Sequence, residues 1–196
     1  GDNMKICIYG ASSNIIDKSF IDAGEQLGKE IAQNGHSVIF GGGAAGLMGA
    51  VARGMRSKGG NIIGVTPTFF KVDGMLFEDC TDMIYTETMR ERKKLLEEMS
   101  DAFIVTPGGI GTFDEFFEIY TLRQLGVHQK PIAILNTDGY YDSLIDMLKN
   151  AIDKNFMPEA NMNLLFISDN PKEILNHIEN YNPDDYKDSQ FKFLKK

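Results

Sequence analysis

The chain has 196 residues, 42% of them hydrophobic and 24% charged, the profile of one globular domain long enough to bury a full core. Its formal net charge of -8 argues against sustained nucleic-acid binding, which usually shows a basic patch or stripe. No apolar run approaches the ~20 residues that span a bilayer, and His36, His128 and His177 are too scattered for a helix-spaced metal pair.

The elements alternate from the first. Lys5–Tyr9 reads as a buried strand and 17–34 as a helix stopped by Gly35. Ser37–Phe40 is a second strand, followed by a helix over 47–57 and a third strand over 61–65. Residues 67–80 are irregular, with apolar Phe69, Phe70, Leu76 and Phe77. A short strand over 83–85 precedes a basic helix over 87–100. Then come the strand Ala102–Val105, a helix after Thr112, a strand over 131–135, a helix over 140–154, a strand over 164–167 and a helix over 171–180. Regular βα alternation specifies an α/β fold: a doubly wound parallel sheet with helices on both faces. The domain is expected to run over 1–181, and the mixed Asp/Lys segment 182–196 is expected to be peripheral. Cys7 and Cys80 are the only cysteines, and no basic segment followed by an apolar one opens the chain. A reducing, cytoplasmic setting is the expectation.

Two glycine turns stand out. Gly41-Gly42-Gly43-Ala44-Ala45-Gly46 follows the second strand and fits G-x-G-x-x-G. A dinucleotide site needs the first strand's turn and an acidic residue about 20 positions on; the third strand ends in Val65-Thr66-Pro67 instead. Read as a P-loop, the turn has Leu47-Met48 where Lys and Ser/Thr are required. The second turn, Pro107-Gly108-Gly109-Ile110-Gly111-Thr112, lies between a strand and a helix, where glycine amides and the helix dipole cradle a phosphate. Thr112 with Glu115 also reads as a capping box, although capping alone does not need three glycines and a proline.

The basic helix carries a further signal. Met89, Arg92, Leu96 and Met99 share one face, and three of them are apolar, so Arg92 points inward and must find a partner. That partner makes either a structural ion pair or a binding site, and Glu115 is the candidate. The local cluster Arg90-Glu91-Arg92-Lys93-Lys94 suits a small anion better than a polymer.

These motifs, with Tyr9-Gly10-Ala11-Ser12-Ser13, Gln124 to Pro131 and Leu135-Asn136-Thr137-Asp138-Gly139-Tyr140-Tyr141, resemble the LOG family. These are cytokinin riboside 5′-monophosphate phosphoribohydrolases, often labelled lysine decarboxylases. The resemblance covers roughly 4–157 and rests chiefly on an R-K dipeptide paired with P-G-G-x-G-T-x-x-E. It implies a Rossmann-like homodimer that hydrolyses a nucleoside 5′-monophosphate, such as AMP or prenylated AMP, without a cofactor. By the same resemblance Arg92 and Glu115 form the catalytic pair. Substrate contacts fall, by the resemblance, on Lys93, Gly109, Ile110, Gly111, Thr112 and Thr121; Gly108 belongs to the same phosphate-cradling loop, and Ser13 and Gly43 from the earlier turns are further substrate-binding candidates. The chain departs from the family pattern at Gly10-Ala11, where Cys-Gly is usual, at Arg90, where His is usual, and at Leu122-Arg123, where plant members have Trp-Ala. An expected substrate-contacting acid has two candidates, Asp73 and Glu78.

Two other readings compete. Lysine decarboxylation would need a pyridoxal phosphate lysine with supporting groups, and no lysine here has that context. The alternative is a Rossmann-like protein that binds a nucleotide or a molybdopterin cofactor without hydrolysing it; the joint presence of Arg92 and Glu115 disfavours it.

Overall fold

A computed structural model describes residues 3–186. Seven strands, β1 (Lys5–Tyr9), β2 (Ser37–Phe40), β3 (Ile62–Pro67), β4 (Asp82–Thr86), β5 (Ala102–Val105), β6 (Ile132–Leu135) and β7 (Leu165–Ser168), pair in the order β4-β3-β2-β1-β5-β6-β7. Every pairing is parallel. Among the described residues five α-helices connect strands, α1 (Lys18–Gln33), α2 (Gly46–Ser57), α3 (Met89–Met99), α4 (Ile110–Gln124) and α5 (Asp142–Asp153), and α6 (Pro171–Glu179) follows β7.

Side-chain alternation divides the core in two. Ile6, Ile8, Val38, Phe40 and Ile104 meet Leu27 and Ile31 of α1, Val51 and Met55 of α2, and Ile174 and Ile178 of α6. Cys7, Tyr9, Ile39, Phe103 and Val105 point the other way, against Leu96 of α3, Phe116 and Ile119 of α4 and Leu148 of α5. Strands buried on both faces read as continuous apolar runs, as parallel strands must. The α/β doubly wound fold is as expected, with the sheet winding outward in two directions from β1 and β5. At that reversal the Ala11 amide donates to the Pro107 carbonyl (3.0 Å), and a crevice opens beyond the strand ends.

Every strand and helix expected from the sequence is present, with boundaries that shift by at most two residues. The helix expected after Thr112 is the exception, because it begins earlier, at Ile110, with Gly109 at the cap position. Of the segment 182–196, Tyr186 stacks on Tyr181 at 5.1 Å and lies under the Arg123 guanidinium at 5.9 Å; 187–196 lie outside the described residues.

Candidate active site

A cavity of about 540 Å³ lies over the C-terminal ends of β1, β2, β3 and β5. Its floor is an ion pair. Arg92 projects from the inner face of α3, donates from Nε to the Val65 carbonyl at 3.0 Å, and brings Nη1 to 3.6 Å from Glu115 Oε1. Both side chains are nearly buried, 9% and 13% exposed. The first glycine turn supplies the space: a Cβ on Gly41 would stand 1.9 Å from Arg92 Nη2. Burial pushes the Glu115 carboxyl up from 4.5 to about 7; Arg92 pulls it down, Asp114 pushes it up and Lys93 pulls it down. Desolvation therefore outweighs the guanidinium, and the group titrates near neutrality.

One wall is the start of α4. Gly109, Ile110, Gly111 and Thr112 line the cavity, and among the described residues the amides of Ile110, Gly111 and Thr112 meet no protein acceptor. Glu115 lies one turn further along the same helix. The capping box expected between Thr112 and Glu115 does not form, because both lie inside the helix and Glu115 turns to Arg92. A cap of that kind sits at α3 instead. There Thr88 Oγ1 accepts from Glu91 N (3.1 Å) and Glu91 Oε2 accepts from Glu87 N (2.8 Å). The same T-x-x-E spacing at 88–91 was visible in the sequence.

The earlier turn behaves differently. At the start of α2, Gly46 N donates to Asn14 Oδ1 (2.8 Å), and Leu47 N and Met48 N both donate to the Ala11 carbonyl (2.9 and 3.1 Å). Gly46 has φ +63°, and a Cβ there would lie 2.7 Å from the Ala11 and Ser13 carbonyls. Loop 11–14 thus occupies this helix end, leaving no open anion site. The rest of the turn anchors a covering segment: Ala44 N donates to Met75 O (3.1 Å) and Phe77 N to Gly42 O (2.8 Å). Through this pairing the irregular segment 68–80 brings Phe70, Met75 and Leu76 over the cavity, beside Met48 and Met89.

The fold thus gathers Ser13, Gly43, Arg92, Gly109, Ile110, Gly111, Thr112 and Glu115 around one space. Gly108 lies behind the wall, buried, with its carbonyl taken by Tyr140. Lys93 is not in the lining. Its ammonium pairs with Glu118 (2.7 Å) and Asp114 (3.0 Å), and the hydrogen bond to Glu118 chiefly raises its pKa. Thr121 is exposed on α4, ~13 Å along the axis from Thr112. Asp73 and Glu78 line a separate hollow beside β4. Sequence reasoning missed Thr66 and the apolar residues of 68–80. Thr66 ends a parallel strand, which is itself a signal of site proximity, whereas Phe70 and Met75 carried none. No lysine stands in the cavity lining, so the residues present do not fit a pyridoxal phosphate Schiff base.

Comparison with known proteins places the chain among its relatives. Residues 48–178 match a family described as possible lysine decarboxylase. A probable cytokinin riboside 5′-monophosphate phosphoribohydrolase of Oryza sativa subsp. japonica is 36% identical over 179 residues, covering 91% of this chain and 72% of the relative. A cytokinin riboside 5′-monophosphate phosphoribohydrolase of Arabidopsis thaliana is 33% identical over 179 residues, covering 91% and 84%. Among solved structures, the molybdenum cofactor binding protein of Rippkaea orientalis superposes with a TM-score of 0.70 at 22% identity, covering 91% of this chain and 96% of that one. The Moco carrier protein of Chlamydomonas gives 0.67 at 19%, covering 91% and 97%; such identities establish a shared fold alone. With its Arg92–Glu115 pair behind the P-G-G-x-G-T loop and relatives matched over nine-tenths of its length, the chain belongs to the LOG family, the cytokinin riboside 5′-monophosphate phosphoribohydrolases.

Proposed function

We propose that this protein hydrolyses the N-glycosidic bond of a nucleoside 5′-monophosphate of cytokinin or other purine type, releasing the free base and ribose 5-phosphate. The observation that carries this reading is the buried Arg92–Glu115 pair one helical turn below the open amides of α4. A 5′-phosphate at those amides meets aligned donors and the positive end of the helix. Helical side chains lean toward the N-terminus, and residues three apart share a face. The Glu115 carboxylate therefore leans back toward Thr112 and toward a ribose hanging from the phosphate.

The chemistry follows from that placement. As the C1′–N bond breaks, its electron pair leaves with the base, which takes up a proton, and positive charge builds on C1′ and the ring oxygen. Ionised Glu115 faces that charge and accepts a proton from the attacking water, whose oxygen becomes the C1′ hydroxyl; release of that proton to solvent balances the one the base takes up from solvent and restores the carboxylate. A carboxyl held near 7 suits a base working at neutral pH. The Arg92 guanidinium, which does not deprotonate in proteins, fixes the carboxylate and favours its charged form. Gly109, Ile110, Gly111 and Thr112 contact the phosphate, with Gly108 shaping their loop; Ser13 and Gly43 border the sugar and base. Lys93 acts by ordering Asp114 and Glu118 on α4, and a role for Thr121 in the substrate site requires a second subunit. The apolar rim of Met48, Phe70, Met75, Leu76 and Met89 favours a base with an apolar substituent, such as prenylated AMP.

The same reading includes a homodimer without a resident cofactor or metal, and a cytoplasmic setting, in keeping with two free thiols. Among the described residues no helix is long and apolar enough to cross a membrane. Base release from a panel of AMP, prenylated AMP and pyrimidine nucleotides tests the proposal. Release from the purine members is expected. Binding without release from any member would overturn hydrolysis in favour of nucleotide or molybdopterin-cofactor binding.

A further inference from the structure

The motif Asn136-Thr137-Asp138-Gly139-Tyr140-Tyr141 has no part in the chemistry above, yet its two phenols reach the phosphate loop. Tyr140 Oη donates to the Gly108 carbonyl at 2.5 Å and Tyr141 Oη to the Thr106 carbonyl at 2.6 Å. With the Ala11 amide on the Pro107 carbonyl, three consecutive carbonyls of the loop are held from outside. The turn that presents the phenols is itself fixed. Asn136 Oδ1 accepts from Tyr141 N (2.7 Å), Asn136 Nδ2 donates to Asp142 Oδ1 (2.8 Å), and Asp138, at φ +54°, accepts from Ser19 Oγ (2.6 Å).

The two tethers differ in consequence. In a trans peptide the carbonyl of one residue and the N–H of the next lie in one plane and point in opposite directions. Holding the Gly108 carbonyl on Tyr140 therefore directs the Gly109 N–H away from Tyr140, at the cap position of α4, where Gly109 lines the cavity. Two glycines flank this plane, so little else opposes its rotation. The Thr106 carbonyl shares its plane with Pro107, which has no N–H, so through that carbonyl Tyr141 orients no donor of the cavity wall; its hydroxyl otherwise meets the backbone of Gly108, which is buried behind that wall.

We propose that Tyr140 is a positioning residue for the phosphate site: its hydroxyl selects the peptide orientation in which Gly109 offers an N–H, rather than Gly108 a carbonyl, to the anion. Tyr141, buried beneath it, anchors the loop to the fold. This rests on the phosphate reading of the loop, and the ligand used to test it is ribose 5-phosphate. Calorimetric titration of Tyr140→Phe is expected to show about tenfold weaker binding with the melting temperature nearly unchanged, since Tyr140 is 43% exposed and its ring contact with Phe20 survives. Tyr141→Phe is expected to show the reverse, a lower melting temperature with affinity retained. Unaltered affinity in Tyr140→Phe, or losses of affinity that track stability in both variants, would overturn the assignment. Failure of the unsubstituted protein to bind ribose 5-phosphate is a separate result: it removes the phosphate reading, and this role with it.

Discussion

At the scale of single residues the site turns on one carboxyl. Because burial holds Glu115 near 7 and only its ionised form can stabilise a cation, kcat/KM should rise with pH along a limb centred near neutrality. Glu115→Gln should lose the limb and about 10²–10³ in rate; near-normal turnover would reduce the residue to a structural role. Stability should report the same group. Its folded pKa lies above the unfolded value, so its contribution is full below pH 4.5 and is lost as pH rises through 7. His128 works in the opposite direction. Burial lowers it to about 4, so its contribution is present above pH 6.5 and lost as pH falls toward 4. The two offset each other in the native protein. Urea unfolding of Glu115→Gln beside the native chain should thus shift in the variant's favour from pH 5 to pH 8, by on the order of 1–3 kcal/mol; a difference independent of pH contradicts the burial argument. Gly41→Ala provides a second handle. The new methyl meets only the far end of the Arg92 side chain, so the fold should persist while the guanidinium moves. A displacement of about 1 Å costs roughly 10² in rate, and with Arg92 displaced the ascending limb should move to higher pH. Activity and profile equal to the native enzyme's would show that Arg92 has another resting place.

At the scale of elements, two glycine turns that look alike do different work. The start of α4 keeps its donors open, whereas loop 11–14 fills the start of α2. Loss of the 5′-phosphate should therefore be felt at one turn only. Adenosine should be a far poorer substrate than AMP, with the loss in kcat as well as KM because anchoring energy is used at the transition state. Equal kcat/KM for the two would refute the cradle. Asn14→Ala, by contrast, removes a cap from α2 and should lower stability by about 1 kcal/mol while leaving the AMP-to-adenosine preference intact, a comparison of melting curves with kinetics. G-x-G-x-x-G in the sequence shows glycines but not which groups face them; only the return of Asn14 and Ala11 onto α2 decides that. Likewise T-x-x-E fits both 88–91 and 112–115. The first is a cap, and the second is not, because two glycines let α4 begin before Thr112.

At the scale of the whole molecule, α4 is buried along Phe116, Ile119 and Tyr120, while Phe113, Phe117 and Leu122 are only partly covered and Leu125 and Val127 are 50% and 63% exposed. A helix apolar around most of its circumference calls for cover on a second side. Light scattering at micromolar concentration should give twice the 21.9 kDa of one chain, and Leu125→Asp should drive the mass toward the monomer. A monomeric native protein would count against both the dimer and any contribution of Thr121 to a shared site.

The sequence by itself determined the order and kind of the elements, because parallel strands buried on both faces leave unbroken apolar runs between amphipathic helices. It also determined the catalytic candidates: an arginine on an apolar helical stripe is a charge that needs a partner wherever the helix packs. Tertiary structure decided which partner was in reach. Arg92 and Glu115 lie on separate helices brought together beside β1 and β5, and the depth of their burial sets the pKa of Glu115. It also decided that Lys93 turns to Asp114 and Glu118, that Phe70 and Met75 roof the cavity, and that Tyr140 holds the Gly108 carbonyl. Each of these depends on a contact between distant segments. Local pattern cannot encode such contacts, because they exist only once the sheet has set the distances.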